Sequence, residues 1–187
     1  MTHLALPAAA ALGAATWTFA EYALHAWRGH GKGRSEFTRE HLRHHGRHEY
    51  FSPAGRKVRL ALPVVGAAAA LGASTAGWAL GLAFAAGFAA AYAGYEWLHR
   101  RLHTHPPLNR YGAWARRHHF RHHFVEPSRN HGVTTPLWDW VFGTLEPSGP
   151  IEVPRRFAMR WLLDPETGLV RAEHRRDYTL RGGGTLS

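Results

Sequence analysis

The sequence predicts an all-α integral membrane protein with about three transmembrane helices and a helical, histidine-rich cap on the cytoplasmic face. Three observations carry this reading. Residues 1–20 hold no Asp, Glu, Lys or Arg. Residues 60–95, 36 in a row, hold none either. Charge is crowded into the segments between and after these runs, the layout of membrane spans joined by polar segments.

The first predicted span runs over residues 4–24, mostly Ala, Leu, Phe and Trp, and is long enough to cross a bilayer once. A cleaved signal peptide fits it poorly. No Lys or Arg precedes the apolar run, and the run ends in Glu21, Tyr22, His25 and Trp27 rather than in a small-residue cleavage site. The second apolar run is too long for one helix: at about 1.5 Å per residue it would reach roughly 54 Å, against about 30 Å of hydrocarbon. It reads as a hairpin of two tight helices at 58–75 and 78–98, turning near Gly72-Ala-Ser-Thr-Ala-Gly77. Its many Ala and Gly residues allow close helix approach.

Orientation follows from the flanks. Residues 28–59 hold nine Lys/Arg and three Glu, and residues 100–129 hold seven Arg and one Glu. Both basic segments are therefore expected in the cytoplasm and the N-terminus outside. Residues 1–145 read as one membrane-embedded domain. After Gly143 the chain turns polar, with Pro147, Pro150 and Pro154, so residues 146–187 read as a polar C-terminal tail ending in a loosely ordered Arg181-Gly-Gly-Gly184.

The chain of 187 residues carries a formal charge of +10 and no cysteine. That excludes disulfides, thiolate zinc sites, iron–sulfur clusters and a Cys nucleophile. It has 16 histidines, more than its 13 carboxylate side chains, and they fall into spaced groups. His25 and His30 form an HX4H, His41, His44 and His45 an HX2HH, His99 and His103 an HX3H, and His119, His122 and His123 a second HX2HH. On a helix, positions i, i+3 and i+4 share a face, so each HX2HH should present three imidazoles side by side. HX4H advances about 500° on a regular helix, which separates its members, so it is expected across a helix end. The topology brings all four groups to one membrane face. Ten convergent imidazoles exceed the ligands of one metal ion, so two ions are expected, and imidazole suits Fe, Zn, Cu and Ni.

Other chemistries fit less well. The Arg residues are explained by membrane orientation, so nucleic acid is not expected as a partner. Glu96-Trp-Leu-His99 is a single Glu-x-x-His, short of a soluble di-iron bundle, so Glu96 is expected to orient a ligand or face the helix bundle. No zincin motif, Gly-x-Ser-x-Gly or phosphate-binding Gly loop is present. A transporter would favour charged or histidine residues within its spans, and residues 60–95 have no Asp, Glu, Lys, Arg or His.

The ordered series HX4H, HX2HH, HX3H, HX2HH resembles the membrane-bound fatty acid hydroxylase / sterol desaturase superfamily. Tyr95-Glu-Trp-Leu-His-Arg-Arg-Leu-His103 resembles its third histidine box, Arg117-His-His-Phe-Arg-His-His-Phe-Val-Glu-Pro-Ser-Arg-Asn130 its last, and Gly132-Val-Thr-Thr-Pro-Leu-Trp-Asp-Trp-Val-Phe-Gly-Thr144 its closing signature. The resemblance covers about residues 18–145. It implies a membrane-bound non-haem di-iron oxidoreductase that activates O2 and hydroxylates a C–H bond of a fatty acyl or sterol-like lipid. Lipid desaturation and carotenoid hydroxylation are the alternatives within the superfamily; a non-catalytic membrane metal-binding or transport protein is the alternative outside it. The implied ligands are His25, His30, His41, His44, His45, His99, His103, His119, His122 and His123, holding two iron ions, for which zinc is able to substitute in purified protein. Electrons are expected from a separate reductase with a ferredoxin or cytochrome b5, because no cytochrome b5 domain is fused here. Arg, Ala and Gly bias suggests a GC-rich bacterial genome, hence an inner-membrane location with the site on the cytoplasmic face. His48, His105 and His118 lie outside the spacings and are expected to support ligands, as is His131; His3 and His174 read as incidental.

Overall fold

The computed structural model describes residues 2–33 and 35–182. Helix α1 (Thr2–Ala23) continues without a break into a π-helical turn (Leu24–Gly29). There follow α2 (Glu36–Gly46), α3 (Ala54–Ala76), α4 (Trp78–Thr104), α5 (Arg110–Phe124) and a short α6 (Leu137–Val141). Ser35 caps α2 by accepting from Thr38 N–H at 3.1 Å, and Asn109 caps α5 by accepting from Gly112 N–H at 2.8 Å, so both histidine-rich helices start on a side-chain cap.

Helices α3 and α4 form the expected hairpin, turning at Gly77, whose φ of 87° only glycine adopts freely. These two helices are long and apolar enough to cross a membrane. None of the most apolar window of α3 is buried within the protein, and Leu62 and Leu71 face outward. An exposed apolar belt of this extent suits lipid, not water. Helix α1 packs along α4 at backbone contact: a Cβ on Gly87 would lie 1.9 Å from the Ala10 carbonyl oxygen, and one on Gly13 would lie 2.0 Å from that of Phe84. Gly72 and Gly81 meet in the same way between α3 and α4. Small residues are what allow this three-helix layer. Trp17 of α1 fills the space towards its C-terminal end, against Phe88, Tyr92 and Tyr95.

The α4–α5 corner is held by Arg116, which is 1% exposed. Its guanidinium donates to the carbonyls of Leu102 (2.8 Å), Arg101 (3.1 Å) and His105, satisfying the end of α4, and stacks on Trp161.

The segment after 145 corrects the expectation of a polar tail and of a purely α chain. Strand β1 (Ile151–Pro154) pairs in parallel with β2 (Tyr178–Arg181). Ile151, Val153, Met159, Leu162 and Tyr178 bury themselves with Phe120 and Phe124 of α5. The apolar residues responsible come in short stretches, Ile151-Glu152-Val153 and Phe157 to Leu163, broken by Pro and Arg and too short to mark a periodic core. Residues 183–187, which include most of the glycine-rich end, lie outside the described residues.

Candidate metal centre

All ten histidines singled out by spacing converge at the C-terminal ends of α1 and α4, in two groups of five. His25, His30, His41, His45 and His122 form one; His44, His99, His103, His119 and His123 form the other. Within each group one ligand atom per residue lies within 4.8 Å of all the others. The groups abut: His45 of the first stacks on His123 of the second, centroids 4.0 Å apart and planes 7° apart.

Local helix geometry explains the sorting. His41/His45, His99/His103 and His119/His123 are i,i+4 pairs on regular helices, and each pair stays within one group. The middle histidine of each HX2HH, His44 or His122, crosses to the other group. The three imidazoles of a box are thus neighbours, as expected, but they divide between the two groups. His25 and His30 are brought together differently from the expectation of a helix end. The π-helical turn bonds i to i+5, and His30 N–H donates to the His25 carbonyl at 3.3 Å. The wider turn gives the i,i+5 spacing of HX4H the role that i,i+4 has elsewhere.

Backbone carbonyls orient the rings. Nδ1 of His25, His44 and His122 lies 2.5, 2.8 and 2.8 Å from the carbonyls of His131, Tyr50 and Arg129. A carbonyl only accepts, so Nδ1 carries the hydrogen and the Nε2 lone pair points into the cluster. There, Nε2 of His25, His44, His99 and His123 is buried with no hydrogen-bond partner among the described residues. Elsewhere Nε2 faces Nε2: His30–His41 at 2.9 Å, His30–His122 and His103–His119 at 3.0 Å, His45–His122 at 3.1 Å. Burial lowers the pKa of His44 and His30 to about 4 and that of His45 to about 3. His25, His119, His122 and His123 are held well below their ordinary value by burial and then by neighbouring imidazoles. Neutral rings with orphaned inward lone pairs are the state that ligates a cation, and an all-imidazole donor set fits iron or zinc.

The remaining histidines take supporting or separate places. His118 and Asp139 are both fully enclosed, Nε2 to Oδ2 at 3.2 Å. His131 contributes its carbonyl to His25. His48 is buried with its ring 6.1 Å from that of His103, outside both groups. His105 is exposed and bonds Thr104. His174 packs on Trp161 and Tyr178, away from the cluster. The side chain of His3 lies outside the described residues.

Spacing arguments missed the acidic residues that hold the closing loop. Asp139 accepts from the backbone N–H of His131 and Gly132, both at 2.8 Å, and from Thr144 Oγ at 2.7 Å. Glu21 accepts from the backbone N–H of Val133 and Thr134 and from Thr134 Oγ, at 2.5, 2.9 and 2.7 Å. The available signal was a lone carboxylate inside an apolar run: Glu21 in the first span, Asp139 between two tryptophans. Glu96, expected to orient a ligand or face the bundle, forms an ion pair with Lys57 between α4 and α3.

A cavity of about 490 Å³ opens between α1, α3 and α4 and reaches His25, His41, His44 and His99. Its deeper wall is apolar, formed by Trp17, Leu60, Val64, Val65 and Phe88.

The model of the fatty acid hydroxylase family matches residues 10–144. The chain is 32% identical over 145 residues to the dihydroceramide fatty acyl 2-hydroxylase FAH2 of Arabidopsis thaliana, covering 72% of this chain and 59% of that protein. It is 31% identical over 150 residues to the fatty acid 2-hydroxylase of Homo sapiens, covering 74% and 40%. The chain therefore spans well under two thirds of the length of these relatives. A solved structure of full-length Scs7p, in which only the hydroxylase domain is visible, superposes with a TM-score of 0.64 at 24% identity, covering 81% of this chain and 60% of that one. That last likeness is one of fold.

Proposed function

The chain belongs to the fatty acid hydroxylase family, and from that premise we propose that it hydroxylates a C–H bond of a fatty acyl or sterol-like lipid with O2. The observation that carries this reading is the pair of abutting five-histidine groups at the end of an apolar cavity between membrane-type helices. A saturated C–H bond offers neither an acidic proton nor a leaving group, so side-chain acid–base chemistry does not attack it. Two iron ions, one per group of five imidazoles, would supply the O2 activation that side chains lack. One oxygen atom enters the C–H bond; the other leaves as water, with two electrons and two protons delivered from outside.

The chain's own residues do the rest. The ten imidazoles present neutral lone pairs, and the carbonyls of Tyr50, Arg129 and His131 hold three of the rings in place. The apolar cavity takes up a lipid chain and excludes water from the cluster. We assign three spans, α1 with α3 and α4, with the histidines on the cytoplasmic side of a bacterial inner membrane. This rests on the basic flanks of the apolar runs. The two electrons come from a separate ferredoxin- or cytochrome b5-type carrier and its reductase.

The test is a reconstituted assay with reductase, carrier and isotopically labelled O2, offered fatty acyl, sterol and carotenoid substrates. One labelled oxygen in a product hydroxyl is the expected result. A new double bond with label only in water would make the protein a desaturase instead.

A further inference from the structure

The cavity is not uniformly greasy. Near its histidine end it carries charged residues, and most of these are already committed. Arg56 bonds Glu36 and Glu40 at 3.0 and 2.9 Å, Tyr50 donates to Glu40 at 2.6 Å, and Glu21 is taken up by the closing loop. Lys57 is different. It is one of two lysines in the chain, its side chain is only 22% exposed, and among the described residues the acceptor its ammonium meets is Glu96. An ammonium has three N–H donors, so donor capacity remains at the cavity wall. The pair also marks a boundary. From Leu60 to Tyr95 there is no charged residue, so Lys57 and Glu96 flank the apolar stretch on its two helices.

The heights along the helices decide what could sit there. Glu96 is one turn, about 4.5 Å, short of His99. The apolar wall continues from the pair to Val65 on α3 and Phe88 on α4, eight residues in each case, or about 12 Å. A lipid chain lying along that wall has its tail more than 12 Å from His99 and its polar end beside Lys57. We propose that Lys57, set by Glu96, is the polar anchor that binds the acyl carbonyl of the substrate, as a carboxylate or an amide. The anchored carbonyl then lies about one helical turn from the level of His99, with the acyl chain running away from the histidines along the apolar wall. The proposal rests on the hydroxylase reading above for its substrate class, but binding tests it without turnover.

The experiment measures equilibrium binding of palmitate, N-methyl palmitamide and hexadecane to zinc-loaded protein in nanodiscs. Wild-type protein should bind both carbonyl probes more tightly than the alkane. Lys57→Met should weaken the two carbonyl probes about tenfold or more, the effect of losing one charge-assisted hydrogen bond, and leave hexadecane unchanged. Lys57→Arg should restore most of the loss. Glu96→Gln removes a competing negative charge and should tighten palmitate more than the amide; it also decides the matter if Lys57→Met does not fold. Arg28 also lines the cavity; unchanged discrimination between carbonyl probes and alkane in Lys57→Met, or a loss confined to Arg28→Met, would overturn the anchor. Carbonyl-selective binding with no labelled product in the wild-type assay would leave the anchor standing and remove the hydroxylase reading.

Discussion

Asp139 is fully buried and accepts from four donors: two backbone N–H groups, Thr144 and His118. Burial works to raise its pKa, but the bonds from His118, Thr144, Gly132 and His131 outweigh it and hold the carboxyl below its usual range. Asp139→Ala orphans at least two buried N–H groups, at about 1–3 kcal/mol each, and releases the segment whose His131 carbonyl orients His25. Thermal unfolding in detergent should show a loss of about 2–6 kcal/mol, and Asp139→Asn a smaller one. A variant as stable as wild type would mean that the loop is held elsewhere. Gly29 has a similarly specific role. A Cβ there would lie 2.8 Å from Cδ2 of His41, so Gly29→Ala should push that ring out of its group. The expected readout is lost metal in the first group, with the second unaffected. Neither residue is a histidine, and spacing alone did not single them out: one acts through backbone hydrogen bonds, the other by being small.

At the level of elements, the α3–α4 hairpin and its turn were legible because uncharged length and glycine position are written directly in the sequence. The histidine boxes were legible as neighbours and as donors enough for two ions, but not in how each box divides between two groups. The 3,4 spacing says that three rings share a face; it does not say that the face straddles two groups, which depends on how α2 and α5 meet. The π turn was illegible for a related reason. HX4H is incompatible with a regular helix, and the sequence alone did not distinguish a helix end from a wider turn. The packing of α1 on α4 was foreshadowed only by composition, and the structure locates it at Gly13 and Gly87. Gly87→Leu places a branched side chain where even a Cβ meets the Ala10 backbone at 1.9 Å. It should part the two helices and displace His25 from His119 and His122. The check is cross-linking between cysteines introduced at Ala10 and Ala91, efficient in an otherwise wild-type chain and lost in the variant; retained cross-linking would contradict the packing.

For the whole molecule, the C-terminal segment was the largest misreading. Its core residues lie in short apolar stretches that become a core only against Phe120 and Phe124 of α5. It covers the back of the helix whose front carries His119, His122 and His123. The histidine cluster also sets the molecule's response to pH. His30, His44 and His45 have folded-state pKa values of about 4, 4 and 3, below the ordinary 6.5. Above pH 6.5 neither folded nor unfolded chain protonates them, and they contribute no pH dependence. Between about pH 6.5 and 4 the unfolded chain takes up protons that the folded one refuses, so stability of the metal-free protein should fall as pH is lowered through that window. Denaturation profiles of chelator-treated protein across that range provide the check. A flat response would mean that the rings are not buried together.

The central claim, that two groups of five imidazoles each hold one ion, is tested most directly by counting metal in purified protein. Elemental analysis of the wild-type chain should give two ions per chain, as iron or as zinc, because the Irving–Williams order favours zinc at such sites. His122→Ala and His44→Ala each remove one ligand from a different group, so each should lower the count towards one, and the double variant should lower it further. His174→Ala, away from the cluster, should retain two. A wild-type count near zero or one, or two ions retained when both His44 and His122 are replaced, would contradict the account.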